Sequence, residues 1–340
     1  MRSQRFGIEM EMTGIPRKKA AEVIAAYFDT HEVYDGGSYD AHHVTDGQGR
    51  RWKVVSDASI HPAARDGRSA SALYKVEVVS PICHYEDIET IQELVRKLRH
   101  AGACVNRSCG IHIHVDAAPH SVKTLRNLVN IMVSKEDLLY KALAVDVARE
   151  NHYCQKTDLS FLEELNRKKP RSIENFERMW YHGDSRSFDH YDETRYHALN
   201  LHSVFSKGTI EFRLFNGTMH AGKVKTYIQL SLAISHQALV QKGASHSRTK
   251  STNEKYTFRT WLLRLGMIGE EFQTARKFLL ENLEGNIAWK DPAQAERQKE
   301  RLAAKRMEEA AQGLQETEEA PEQESETEMQ QDEGFTMQMF

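Results

Sequence analysis

The run Cys109-Gly110-Ile111-His112-Ile113-His114-Val115-Asp116 sets two imidazoles among strictly alternating apolar residues. Side chains of an extended strand point alternately to opposite faces. Ile111, Ile113 and Val115 therefore turn to a core, while His112, His114 and Asp116 share the other face. Two imidazoles on one face suit a metal or an anion, although ordinary exposed histidines give the same pattern. The run Phe6-Gly7-Ile8-Glu9-Met10-Glu11-Met12 alternates in the same way and holds Glu9 and Glu11 side by side. Such carboxylates repel unless a cation lies between them or water screens them, and a solvated edge strand is the plain alternative. Glu77 is the only acid in a strongly β-forming stretch over residues 73–81. Glu211 and Arg213 share one face of Thr209–Phe215, with Ile210, Phe212 and Leu214 on the other. An isolated Glu-x-Arg is usually a surface ion pair of little worth. Asp57, in the turn Ser56-Asp57-Ala58-Ser59, can cap backbone amides or face a site.

The combination is harder to explain as surface than any one member. Four strand-like runs each carry one apolar face, and their other faces collect carboxylates and histidines with little Lys. A sheet face so acidic needs cations. Mostly oxygen ligands with few nitrogens suit Mg²⁺ or Mn²⁺ better than Zn²⁺. An arginine beside them suits a phosphoryl group gathering negative charge.

These runs are separated by helical patterns. Ala20, Val23, Ile24, Tyr27 and Phe28 form one stripe after Pro16, and Ile88, Ile91, Leu94, Val95 and Leu98 form another that stops at Gly102. Residues 31–50, rich in Gly, Asp and His, predict a loop or hairpin with His42 and His43 at the surface. A helical region opens at Pro119-His120-Ser121, and Ser134-Lys135-Glu136-Asp137 reads as a capping box restarting a second helix to about Val147. Residues 148–195 read as loops with short helices shaping a substrate mouth. Tyr196–His202 reads as a strand, Ser206-Lys207-Gly208 as a tight turn, and helices are predicted at about 223–242, 256–265 and 270–284.

The formal charge of −3 is unevenly spread: residues 307–340 hold eleven acidic and no basic side chains, which leaves +8 on residues 1–306. A segment so acidic and so poor in large apolar groups cannot bury enough surface to fold alone. The expected organisation is a catalytic part over 1–245, packed helices over 246–290, a charged exposed helix over 291–312 and a disordered acidic tail over 313–340, ending in apolar Phe335–Phe340. The mildly basic body permits a nucleotide but lacks the dense Lys/Arg stripe of a duplex-binding protein, so no nucleic-acid partner is expected. The four cysteines have neither zinc-type spacing nor the density of a disulfide framework. Without an apolar leader or a run of about eighteen apolar residues, the chain reads as soluble and cytoplasmic, with no membrane partner.

The ordered set F-G-I-E-M-E-M, D-A-S, V-E-V-V-S-P, C-G-I-H-I-H-V-D and T-I-E-F-R-L-F-N-G-T resembles the amidoligase family, over roughly residues 5–245. Those are ATP-dependent carboxylate–amine ligases similar to glutamine synthetase and glutamate–cysteine ligase. The resemblance implies an α+β fold, a glutamine-synthetase-like curved antiparallel sheet flanked by helices. It also implies ATP bound with Mg²⁺ (or Mn²⁺) on the sheet, in keeping with the lack of a Walker-type loop. Residue by residue, Glu9, Glu11, Glu77, His112 and Glu211 match metal ligands, His114 a nucleotide-phosphate contact and Arg213 the phosphate-binding arginine. Glu77, Glu211 and Arg213 thereby become the catalytic set. Asp57 matches the acid of an Asp-Gly-Ser motif whose Gly is Ala58 here, and Arg149, Arg195 and Asn200 are similar to substrate-holding positions. The substrates so implied are a small-molecule or peptide carboxylate and an amine donor, joined through an acyl phosphate. Two other readings stay open. One is a metal-dependent hydrolase built on His112 and His114; the other is a non-catalytic protein recruiting a partner through its charged helix and acidic tail. Assembly into a homo-oligomer is open as well.

Overall fold

Period-two alternation makes Phe6–Met12 a strand, and partners on both sides carry the same pattern. The computed structural model describes residues 1–318. Among them are strands β1 (Phe6–Met12), β2 (Glu32–Gly36), β3 (Ala41–Thr45), β4 (Arg51–Val55), β5 (Val76–Val79), β6 (Gly110–Asp116), β7 (Leu199–Asn200) and β8 (Thr209–Asn216). They form one open antiparallel sheet in the order β2-β3-β4-β5-β1-β6-β8-β7. The helices are α1 (Arg17–Tyr27), α2 (Ile88–His100), α3 (Val122–Ala142), α4 (Val147–His152), α5 (Leu159–Lys168), α6 (Ile173–Trp180), α7 (His202–Lys207), α8 (Ala221–Val240), α9 (Glu254–Arg264), α10 (Gln273–Leu280) and α11 (Pro292–Glu318). The expected mixed fold with an antiparallel sheet flanked by helices is therefore present.

One face of the sheet is apolar. Ile8, Trp52, Val54, Val78, Ile113 and Phe212 are fully buried there. Helix α1 packs across β3 and β4, α8 lies against β6, and α2 and α3 pack on α8. Burial at roughly 25 cal/mol per Å² of apolar area makes this face the main support of the sheet. It also fixes register, because a one-residue slip would turn every apolar side chain outward. Between β6 and β8 the register shifts by one: Ile113 pairs with Phe212, but Ile111 pairs with Phe215. This bulge returns Phe215 to the core, where it stacks on Tyr227 of α8 with ring centres 4.4 Å apart.

Several expectations need correction. His42 and His43 are buried, not superficial, because residues 31–50 form the β2–β3 hairpin and each ring pairs with an acid of β2. His42 Nδ1 lies 3.1 Å from Glu32 and His43 Nδ1 lies 2.8 Å from Asp35. Ser134 does not restart a helix. Helix α3 continues through it, its hydroxyl donates to the Ile131 carbonyl, and Glu136 accepts from Thr157 N at 2.8 Å. The strand expected at 73–81 is reduced to β5, because the buried Arg17 guanidinium takes the carbonyls of Ala72 and Lys75. The strand expected at 196–202 is reduced to Leu199–Asn200. His202 instead opens α7, which Gly208 ends in the left-handed region at φ +72°.

Met1–Lys290 makes one compact unit, and the described residues from Asp291 belong to a second. Of the second, α11 is described, running six residues past the expected 312, and its side chains from Glu296 to Glu309 are exposed. The acidic tail from residue 319 and the apolar Phe335–Phe340 lie outside the described residues. No described helix is long and apolar enough to cross a membrane.

Candidate active site

The register of the sheet gathers the acidic and basic side chains opposite the core. Glu11 of β1 pairs with Glu77 of β5, Glu9 with His112 of β6, and His114 with Glu211 of β8. Glu9 lies between both imidazoles, with His112 Nδ1 at 3.1 Å and His114 Nε2 at 3.2 Å. His112 Nδ1 is also 3.7 Å from Glu211, and its Nε2 is 3.9 Å from Glu11. Arg213 reaches Glu211 at 2.5 Å, and Asn200 of β7 donates to the other Glu211 oxygen at 2.7 Å. His114 Nδ1 is held 3.0 Å from the Thr209 hydroxyl.

Charge is not balanced evenly here. Burial would raise Glu9, but the charge of His114 and hydrogen bonds from both histidines hold its carboxyl well below the usual range. Glu211 is buried too, and Arg213 and His114 pull it down to about 2. Burial and the neighbouring Arg213 charge lower His112 to about 4, whereas Glu9 and Glu211 outweigh burial at His114 and raise it. On the other side, burial and the Asp57 charge lift Glu11 to about 7. Burial together with Glu9, Glu11 and Asp57 lifts Glu77 well above a carboxylate's ordinary value.

A cavity of about 150 Å³ opens beside this cluster, lined by Glu11, Asp57, Glu77, Arg149, Arg195 and Arg213 among others. Asp57 both caps its turn, accepting from Ser59 N at 2.7 Å, and faces Glu11 and Glu77. Arg149 is 2% exposed, its Nε has no hydrogen-bond partner, and no carboxylate among the described residues lies within ion-pair distance of it. Its guanidinium lies against Gly110, where a Cβ would collide with it, and Gly110 N donates to Glu11 at 2.6 Å. That contact accounts for the glycine in the Cys-Gly-Ile-His run. Arg195 stacks over Tyr196 at 5.6 Å and donates to the His190 carbonyl. Asn200 is buried behind Glu211, where it orients that carboxylate.

Sequence reasoning missed Lys207, whose ammonium lies 3.9 Å from Glu9 at the end of α7. It also missed Tyr39 and Tyr196 around the cavity, where Tyr153 and Tyr191 come from the expected substrate mouth. Lys207 had one available signal, its place just before Gly208 on the approach to Thr209 and Glu211. The tyrosines come from loops and carry no pattern of spacing. Cys109 is buried, and burial pushes its thiol up to about 11.

A family model described as a “putative amidoligase enzyme” matches residues 2–235, a span that includes every strand of the site. The chain belongs to the amidoligase family. Comparison with curated proteins gives no match. Membership makes the chain a ligase that forms amide bonds. Two ligand sets, Glu9–His112–Glu211 and Glu11–Glu77–His112, each bring their donor atoms within 4.8 Å of one another and share His112. With Glu11 and Glu77 crowded by each other and by Asp57, the donor set fits divalent cations.

Proposed function

We propose that the chain is an ATP-dependent carboxylate–amine ligase working through an acyl phosphate. The observation that carries this reading is the shared His112 between two carboxylate sets, flanked by Arg213 on one side and the unpaired Arg149 on the other. Glu9, Glu11, Glu77, His112 and Glu211 would hold Mg²⁺ or Mn²⁺, which supplies charge neutralisation for the phosphate oxygens. His114 and Arg213 donate to phosphate. Arg213 is fixed by Glu211 before substrate arrives, so its charge is preorganised for the transferring phosphoryl group. Arg149 has a buried Nε without an acceptor and no carboxylate partner, which suits a substrate carboxylate; Arg195 lines the same cavity, and Asp57 suits the incoming amine.

In the first step a substrate carboxylate oxygen attacks the γ-phosphorus, and the bond to the bridging oxygen breaks to release ADP. In the second the amine nitrogen attacks the acyl carbon, phosphate leaves, and the nitrogen loses a proton to give the amide. The chain's residues bind and orient; no protein nucleophile is used, in keeping with the buried Cys109 thiol. The test is amine-dependent ADP release with Mg²⁺ across a panel of carboxylates. Full activity in Glu9→Gln or Arg213→Ala would sink the proposal, as would stoichiometric Zn²⁺ in purified protein that binds no nucleotide.

A further inference from the structure

Gly7 sits on the site face of β1, one strand step before Glu9, and pairs with His114. Glycine inside a strand is destabilising relative to Ala and usually marks a bulge, a bend or a close approach. None of the protein's own atoms explains it. An added Cβ would meet only Ser80 Oγ at 3.8 Å and His114 Cβ at 4.0 Å, ordinary contacts, and the backbone is not in the left-handed region. Gly110 differs, because Arg149 fills the space its side chain would need.

Gly7 is part of the lining of a cavity of about 310 Å³, within the range of small-molecule sites, roughly 300–1,000 Å³. Val79, Pro81 and Ile82 make one apolar wall, and Ile82 is 63% exposed. Lys207 and Gly208 make the facing wall, and the Arg5–Asp116 ion pair at 2.6 Å stands at the outer end. The inner end is Glu9 and His114, so this cavity is continuous with the ligand cluster on the side away from Arg149 and Asp57. The inner end is therefore polar, with Glu9, His114 and Lys207, an ion pair closes the outer end, and the side of Val79, Pro81 and Ile82 between them is apolar.

We infer that this slot seats the base and ribose of the nucleoside triphosphate, with Gly7 left bare so that the flat heteroaromatic group can lie directly on the strand. The inference rests on the proposed nucleotide chemistry and assigns the end of the ligand remote from the reaction. A polyphosphate spanning Lys207, His114 and the metal-binding carboxylates must project its organic end away from the acyl cavity. A second cavity of about 320 Å³ also adjoins Lys207 and Glu211, but apart from Phe188 its lining is polar, so the slot with its apolar wall is the continuation that suits a base.

Isothermal titration calorimetry with MgATP and with magnesium tripolyphosphate, which lacks base and ribose, separates the two halves of the ligand. Gly7→Val is expected to weaken MgATP about tenfold or more, because its methyl groups fill the floor, while tripolyphosphate affinity stays within about twofold. Gly7→Ala should hold or raise Tm, since no native atom opposes the methyl group. Should Gly7→Val not fold, Ile82→Asp at the exposed rim is read the same way. Equal MgATP affinity in wild type and variant, parallel loss of tripolyphosphate, or a fall in Tm for Gly7→Ala would each overturn the assignment. A wild-type chain that binds neither ligand defeats the nucleotide reading itself. One that binds both equally well defeats only the seat.

Discussion

The two sides of the acidic cluster differ in how their charge is met. Around Glu9 and Glu211 the protein supplies its own cations, with Arg213, His114 and Lys207 all within 4 Å of a carboxylate oxygen. Around Glu11 and Glu77 it supplies almost none. Asp57 adds a further negative charge, and Arg149 is the nearest counterweight to Glu11 without pairing to it. A preformed ion pair fixes geometry for phosphate, whereas a crowded set of anions stores repulsion that an arriving cation relieves. On the proposed reading, one side is the more preorganised and the other has the greater demand for a cation.

The largest effect that could break this contrast lies at Arg213. Arg213→Ala should lower kcat/KM by about 10²–10³-fold, the scale for removing one preorganised donor. It should also destabilise the fold by about 3 kcal/mol by leaving Glu211 buried without its partner. ADP release and denaturant unfolding read the two effects, and unchanged stability would show that Glu211 does not depend on Arg213. Next comes Gly110→Ala, where the methyl group meets the Arg149 guanidinium. A loss of about 2 kcal/mol is expected in urea unfolding, against little or none for Gly7→Ala. Glu77→Gln sharpens the contrast by sign. Removing one crowded charge should raise metal-free stability by about 1 kcal/mol and shrink the Tm gain on adding Mg²⁺ or Mn²⁺, while Glu211→Gln should destabilise.

The smallest expected effect lies outside both sides. Burial, partly opposed by Asp116, lowers His120 to about 4 from its ordinary 6.5. The unfolded chain therefore binds the extra proton first. Stability present above pH 6.5 declines as pH falls toward 4, by roughly 1 kcal/mol given the partial exposure of the ring. Denaturant midpoints for wild type and His120→Gln across that window should converge as the pH drops. Parallel curves would remove His120 as the cause.

Period-two patterning made the site face legible, because burial of Ile8, Ile113 and Phe212 forces Glu9, His112, His114 and Glu211 to the opposite side. Strand order was not legible. Nothing local in Glu77 states that it lies beside Glu11; the pairing depends on which apolar ridges α1 and α8 accept. The bulge in β8 escaped for the same reason, since Phe215 follows the strict alternation on paper and turns inward only because Tyr227 is there to stack on. Arg149 was noticed only through resemblance. Its physical signature, a buried Nε without an acceptor and a guanidinium against a bare glycine, exists only once α4 and β6 are brought together.

The strand order bears on when activity can first exist as the chain folds. Strand β1 joins β5 and β6, whose residues begin at Val76 and Gly110, and β6 joins β8, which begins at Thr209. Closing loops of that length comes before any contact rewards it, so such sheets form slowly compared with local hairpins. The β2–β3 hairpin can form early and contributes none of the ligand atoms. The carboxylates and imidazoles instead meet across the seams that close last. Cation affinity should therefore appear late in refolding, together with native tertiary structure and after most helical signal has returned.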